Sequence, residues 1–185
     1  QDDALAIMTA FGAKKDLNVL GVTCVAGNVP LDLTSVNALK ICELSGFFSV
    51  PVFRGSPAPL KRKLITAEHV HGKTGLDGTD LSVKKKELEP TDAVDFIIEC
   101  TKKYRDEKIT ICALGPLTNV AKVLKKDSVL TESIDEIVLM GGGFFEGGNI
   151  TPAAEFNIYV DPEAAKIVLE SGLKITMLPL DVTHK

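Results

Sequence analysis

The chain predicts an open, doubly wound α/β fold, a mostly parallel sheet with helices on both faces, and two observations carry that expectation. Four short apolar runs rich in β-branched residues, at 19–25, 109–114, 134–140 and 174–180, have the pattern of strands buried on both faces. Helical patterns alternate with them, and the right-handed crossover that joins parallel strands leaves few other topologies.

The first element is a helix over 3–13, opening on Asp2 and Asp3, carboxylates of the kind favoured at a helix N-terminus. The strand at 19–25 (VLGVTCV) follows, then a helix over 33–45 that stops near Gly46. Residues 55–90 break the rhythm with Pro57, Pro59, the basic run at 61–63 and HGKTGLDG at 71–78. A stretch this long without periodicity points to a functional loop. A helix over 91–104 leads into the strand at 109–114 (ITICAL), a helix over 117–125 and the strand at 134–140 (IDEIVLM). The glycine-rich residues 141–160 are a second interruption. The helix over 162–171 has Asp161 as N-cap, Pro162 at its first position and Gly172 as its stop, and the strand at 174–180 (KITMLPL) ends the series. There is no repeat, low-complexity stretch or linker, so residues 1–185 read as a single α/β domain, or most of one.

Composition narrows the function. With 185 residues, 45% hydrophobic and 25% charged, the chain can bury a sizeable core, which excludes disorder, collagen and coiled coil. A formal net charge of −4 gives no reason to expect nucleic acid or an anionic membrane as partner. The basic runs at 61–63 and 84–86 lack aromatic neighbours and read as solvated loop surface. No run reaches the roughly 18–20 apolar residues that span a bilayer. Cys24, Cys42, Cys100 and Cys112 lie in apolar stretches without C-x-x-C spacing, the mark of reduced core thiols in a cytoplasmic protein.

In doubly wound sheets ligands sit outside the carboxyl ends of the strands, so the polar residues there are the candidates. They are Asn28 in AGN, the GPLTN segment after Leu114, the glycines after Met140, then Asn149, Glu155 and Asn157, with Asp2 and Asp3 at the first helix. Vicinal aspartates either cap a helix or divide two tasks, one binding a hard cation while the other accepts a hydroxyl proton. The carboxamides and Glu155 either stabilise turns or suit a polyhydroxylated ligand. If the segment is extended, Glu155 and Asn157 share a face. MGGGFFEGGN is not G-x-G-x-x-G and GPLTN is not a P-loop, so phosphate binding is not expected; Phe144, Phe145 and Glu146 oppose it too. His69 and His71 could present both rings from one strand face to a metal but lack a third ligand. His71 reads better as a ligand-contacting or capping residue. No G-x-S-x-G elbow and no nucleophilic cysteine motif is present.

Taken together, QDDALAI at 1–7, VAGN at 25–28, HGKTGLDG at 71–78, ALGPLTN at 113–119, VLMGGG at 138–143, NITPAAEFNIYVDPEAA at 149–165 and LDVTH at 180–184 resemble the inosine-uridine-preferring nucleoside hydrolases, in order and spacing along nearly the whole chain. The resemblance implies a nucleoside hydrolase-like fold and hydrolysis of the N-glycosidic bond of ribonucleosides to free base and ribose. A calcium-bound water would attack an oxocarbenium-like ribosyl centre. It implies that Asp3 and the carbonyl of Leu114 bind Ca2+, and that Asp2 contacts the ribose hydroxyls. Asn28, Met140, Asn149, Glu155 and Asn157 would line the ribose pocket, with Asp2 and Asn157 catalytic and His71 near the base. A homodimer or homotetramer is implied as well. The family's D-x-D-x-G-x-D-D-A signature is matched only in its last part, and its C-terminal His-Asp pair should fall beyond Lys185. The expectation is therefore a domain incomplete at both ends, which alone binds calcium weakly and turns over poorly. The alternative is a non-catalytic nucleoside- or ribose-binding paralogue of the same fold.

Overall fold

The computed structural model describes residues 2–78, 81–83, 85–126 and 128–184, in two compact units: Gln1–Pro57 with Ile65–Ala93, and Ala58–Leu64 with Val94–Lys185. Among the described residues no helix is long and apolar enough to cross a membrane.

The first unit holds α1 (Asp2–Gly12), β1 (Val22–Thr23), α2 (Leu31–Leu44), β2 (Val52–Phe53) and α3 (Glu68–His71). The apolar faces of α1 and α2 meet, and the buried ring of Phe11 stacks on Phe47 with centroids 4.3 Å apart. β1 and β2 pair in parallel, Val22 opposite Val52 and Thr23 opposite Phe53. The strand expected over 19–25 is shorter as a regular element, yet its hydrogen bonding runs on: Val22, Cys24 and Ala26 N–H groups donate to the carbonyls of Pro51, Phe53 and Ser56. β2 lay hidden in the sequence because two residues following Pro51 carry no periodicity.

In the second unit lie α4 (Ala93–Lys103), β3 (Ile109–Ala113), α5 (Thr118–Lys126), a 3-10 turn (Ser128–Ser133), β4 (Ile134–Met140), α6 (Phe156–Val160), α7 (Pro162–Leu169), β5 (Ile175–Leu178) and α8 (Leu180–Thr183). The three strands form a sheet in the order β3-β4-β5, both pairs parallel, with Ala113 opposite Leu139 and Met140 opposite Leu178 at the carboxyl ends. α5 and α7 pack together, and Val123, Ala164 and Val168 join Ile137 and Leu139 in the core. The α/β class and the parallel strands are as predicted. The strands are not buried on both faces, however: β4 alternates between buried and less buried positions, and three of the four β5 residues are exposed. For the same reason Cys112 is exposed on β3 and is not a core thiol, whereas Cys24, Cys42 and Cys100 are buried as expected.

Candidate functional site

The carboxyl ends of β3 and β4 are joined by one side chain. Asn157 donates its amide to the carbonyls of Leu114 and Met140, each at 3.1 Å, and lies 3.4 Å from the Met140 sulfur. Its Oδ1 has no partner among the described residues and is left as an open acceptor at the strand ends.

Asn157 is held there by its neighbours. The three leading N–H groups of α6 have no intrahelical acceptor and need side chains. Asn149 Oδ1 accepts from Phe156 at 2.8 Å, and Glu155, only 2% exposed, takes the next two, Asn157 at 2.8 Å and Ile158 at 3.1 Å. The outer oxygen of Glu155 also accepts from Gly142 N–H at 3.0 Å, tying the cap to the loop after β4. The AEFN segment is thus a helix start and not the extended strand considered from sequence; Glu155 is the N-cap and Asn157 lies inside the first turn. Capping sets the backbone angles that aim Asn157 at both carbonyls.

The remaining candidates belong to the other unit. Asp2 and Asp3 open α1, and both are exposed. Asp3 keeps solvent access, but dense surroundings and the charge of Asp2 push its carboxyl up to about 6. Asn28 is half-buried; its carbonyl accepts from Ala67, while its carboxamide has no partner among the described residues. His69 and His71 sit in the one-turn helix α3, where a two-residue step turns a side chain through about 200°. They therefore cannot present both rings on one face. Partial burial holds the His71 imidazole below its ordinary value, opposed by the negative charge of Asp2, so the neutral ring prevails at pH 7. Gly72 begins the loop behind it with φ of +79°, and a Cβ there would meet the Asp77 carboxylate at 2.3 Å. That carboxylate accepts from the N–H groups of Lys73 and Thr74, both at 3.0 Å, which closes the loop on itself.

Asp3 and Leu114 are the metal donors that the resemblance suggests, and both are hard oxygens suited to calcium. The repulsion between Asp2 and Asp3 favours a cation beside Asp3, and the Leu114 carbonyl keeps a second lone pair while accepting from Asn157. Each is singly a donor of the kind that a calcium shell of six to eight oxygens takes. Among the described residues no group of three or more His, Cys, Asp or Glu side chains could hold a metal ion.

Two carboxylates carry more structure than the sequence disclosed. Asp161, with no exposed surface, caps α7 through Ala164 N–H at 3.0 Å as predicted, and in addition accepts from the Thr118 hydroxyl at 2.7 Å and Leu60 N–H at 2.9 Å. The Asp-Pro pair signalled the cap, but nothing local signals partners 43 and 101 residues away. Asp181, in α8, accepts from the N–H groups of Phe144, Phe145 and Glu146 at 2.7, 2.8 and 3.3 Å. Those bonds hold its carboxyl below the usual aspartate range. Because the folded value is depressed, the clamp is intact above the ordinary value of 3.8 and is lost only as pH falls below it, through the folded value. Amide hydrogen exchange at Phe144–Glu146 is therefore expected to stay slow from pH 7 down to about 4, after allowance for intrinsic rates, and to quicken on further acidification. Fast exchange at pH 6 contradicts the clamp.

The family described as inosine-uridine preferring nucleoside hydrolase matches residues 1–185. An uncharacterized protein of Schizosaccharomyces pombe is 49% identical over 185 residues, covering all of this chain and 59% of that protein. The pyrimidine-specific ribonucleoside hydrolase RihB of Escherichia coli O9:H4 is 44% identical over 184 residues, with 58% of its own length covered. Among solved structures, the plant nucleoside hydrolase PpNRh1 matches with a TM-score of 0.93 at 38% identity, over 99% of this chain and 57% of that one. A purine-preferring ribonucleoside hydrolase from Gardnerella vaginalis gives 0.92 at 35% identity, over 97% of this chain and 58% of that one. The chain thus spans under three-fifths of the length of these relatives.

Proposed function

Since the chain belongs to the inosine-uridine preferring nucleoside hydrolase family, we propose that the full-length protein cleaves the N-glycosidic bond of ribonucleosides with water, releasing free base and ribose. The observation that carries this reading is the amide of Asn157, fixed by a double cap and bonded to the Leu114 and Met140 carbonyls at the carboxyl ends of β3 and β4, with its oxygen left open for a sugar hydroxyl.

Asp3 and the Leu114 carbonyl would hold Ca2+. Calcium bound there would supply Lewis acidity and orient the ribose hydroxyls. Asp2 accepts a ribose hydroxyl in this account, and Asn28, Met140 and Asn157 bind the sugar. Asn149 and Glu155 serve the pocket first by aiming Asn157 and then through the lone pairs that their caps leave free. As the base departs, positive charge develops on the ribosyl ring, and the oxygens of Asp2 and Asn157 stabilise it electrostatically. His71, neutral at pH 7, lies on the base side. No covalent nucleophile is required.

Relatives named for pyrimidine and for purine nucleosides are both similar to this chain, so uridine and inosine are the substrates to compare. Asn157→Ala is expected to lower kcat/KM for the preferred nucleoside about 10²-fold in a reducing-sugar assay of the full-length protein, the scale of one lost transition-state hydrogen bond. Unchanged kcat/KM contradicts the proposed role. The same reading places the protein in nucleoside catabolism and base salvage, as a cytoplasmic homodimer or homotetramer, and elution of the full-length protein as a monomer contradicts the oligomer.

A further inference from the structure

The bond that aims Asn157 has a buried twin in the same unit. Asn157 donates to the Leu114 carbonyl at 3.1 Å, and the Thr118 hydroxyl donates to Asp161 at 2.7 Å, each across a separation of 43 residues. The two bonds therefore bridge the same pair of chain stretches, 114–118 and 157–161, one at each end. The first stretch leads from β3 into α5, and the second runs along α6 to its C-cap, Asp161. Thr118 is 1% exposed and Asp161 has no exposed surface, so the inner bond is out of reach of water. Leu117 and Val160, from the same two stretches, are buried as well. Asp161 is tied down twice more, by Ala164 N–H at 3.0 Å and Leu60 N–H at 2.9 Å.

A helix of five residues does not hold its own conformation or direction, so what fixes α6 must come from its attachments. Bonds at its start alone leave it free to pivot; a further bond at its far end fixes place and direction together. The tolerance is small, because a hydrogen bond weakens steeply beyond about 3.2 Å and Asn157 must satisfy the Leu114 and Met140 carbonyls at once. We propose, on the reading that this is a nucleoside hydrolase, that the buried Asp161–Thr118 bond sets the Asn157 amide against those two carbonyls, which makes Asp161 and Thr118 positioning residues of the ribose pocket. This role is separable from the contribution of Asp161 to stability. The Thr118 hydroxyl can be deleted while the backbone donors of Ala164 and Leu60 keep their acceptor. Neither residue touches the sugar in this account; each acts through Asn157, and a double-mutant cycle is the measurement that isolates such coupling.

The test is a cycle on the full-length protein between Thr118→Val, which exchanges the hydroxyl for a methyl group, and Asn157→Ala. Thr118→Val should lower kcat/KM for the preferred nucleoside about tenfold in the parent and less than about twofold once Asn157 is alanine, because the residue it acts through is then gone. Thr118→Ser keeps the hydroxyl and should stay within about twofold of the parent. A merely structural defect lowers the folded fraction by the same factor whatever stands at 157, so it gives equal losses in both backgrounds. Circular dichroism checks that each variant is folded. Should Thr118→Val fail to fold, Asp161→Asn probes the same bond from its other end, with an expected loss of about threefold in the parent and none beside Asn157→Ala. An active parent whose folded Thr118→Val keeps its kcat/KM overturns this inference alone, as do equal losses in the two backgrounds or a serine variant as impaired as the valine. A folded parent that releases no ribose overturns the hydrolase reading and this inference with it.

Discussion

Asp3→Ala is expected to reduce kcat/KM of the full-length protein for its preferred nucleoside by about 10³-fold, equivalent to about 4 kcal/mol of transition-state stabilisation. Asp3 opens α1 next to Asp2, in dense surroundings that push its carboxyl up to about 6, so its environment favours a positive charge beside it. Removing the carboxylate takes a charged ligand from a calcium shell built of oxygens, and what is lost is Lewis acidity and ribose positioning together. Asp3→Asn keeps one neutral oxygen and should fall between parent and alanine. Ribose release shows the effect, and calorimetric calcium titration assigns it: the alanine variant should bind the ion more weakly by a similar order. Full activity in Asp3→Ala contradicts the assignment of this residue.

Asp161→Ala should cost about 3 kcal/mol of stability, the largest loss expected from any single carboxylate here. The side chain has no exposed surface and accepts from Ala164, Leu60 and Thr118. Alanine leaves two backbone N–H groups and a hydroxyl without an acceptor in a place that water does not reach, and each buried orphan costs about 1–3 kcal/mol. Lost bonds within one network do not add, which keeps the sum nearer the lower end. Asp161→Asn keeps one acceptor oxygen and should cost about half as much. Urea unfolding of the full-length protein measures both, and a loss below about 1 kcal/mol for alanine would mean that the network contributes little.

These two aspartates also show what the sequence could and could not disclose. At Asp161 the cap was legible because Asp-Pro before an apolar periodic run has a local mechanism; the bonds to Thr118 and Leu60 depend on how distant segments meet. Strands β3, β4 and β5 are legible because each carries four or five consecutive apolar or β-branched residues, whereas β2 has two residues and α3, α6 and α8 have four or five, too few for a period to register. The site divides the same way. Asn149, Glu155 and Asn157 could be singled out by residue type, but that the first two cap α6 and thereby aim the third depends on a short helix hidden in a glycine-rich loop. Asp181 went unassigned because its partners lie at least 35 residues away and are backbone amides, which leave no mark on composition.

Ribose release from inosine and uridine by the full-length protein, before and after chelation, tests metal-dependent hydrolysis of ribonucleosides. Release from at least one nucleoside is expected, with loss of that activity when EDTA strips the protein and recovery when calcium is returned. A folded protein that releases no ribose from either substrate with calcium present contradicts the hydrolase and favours a nucleoside- or ribose-binding role; release that EDTA leaves untouched contradicts the metal.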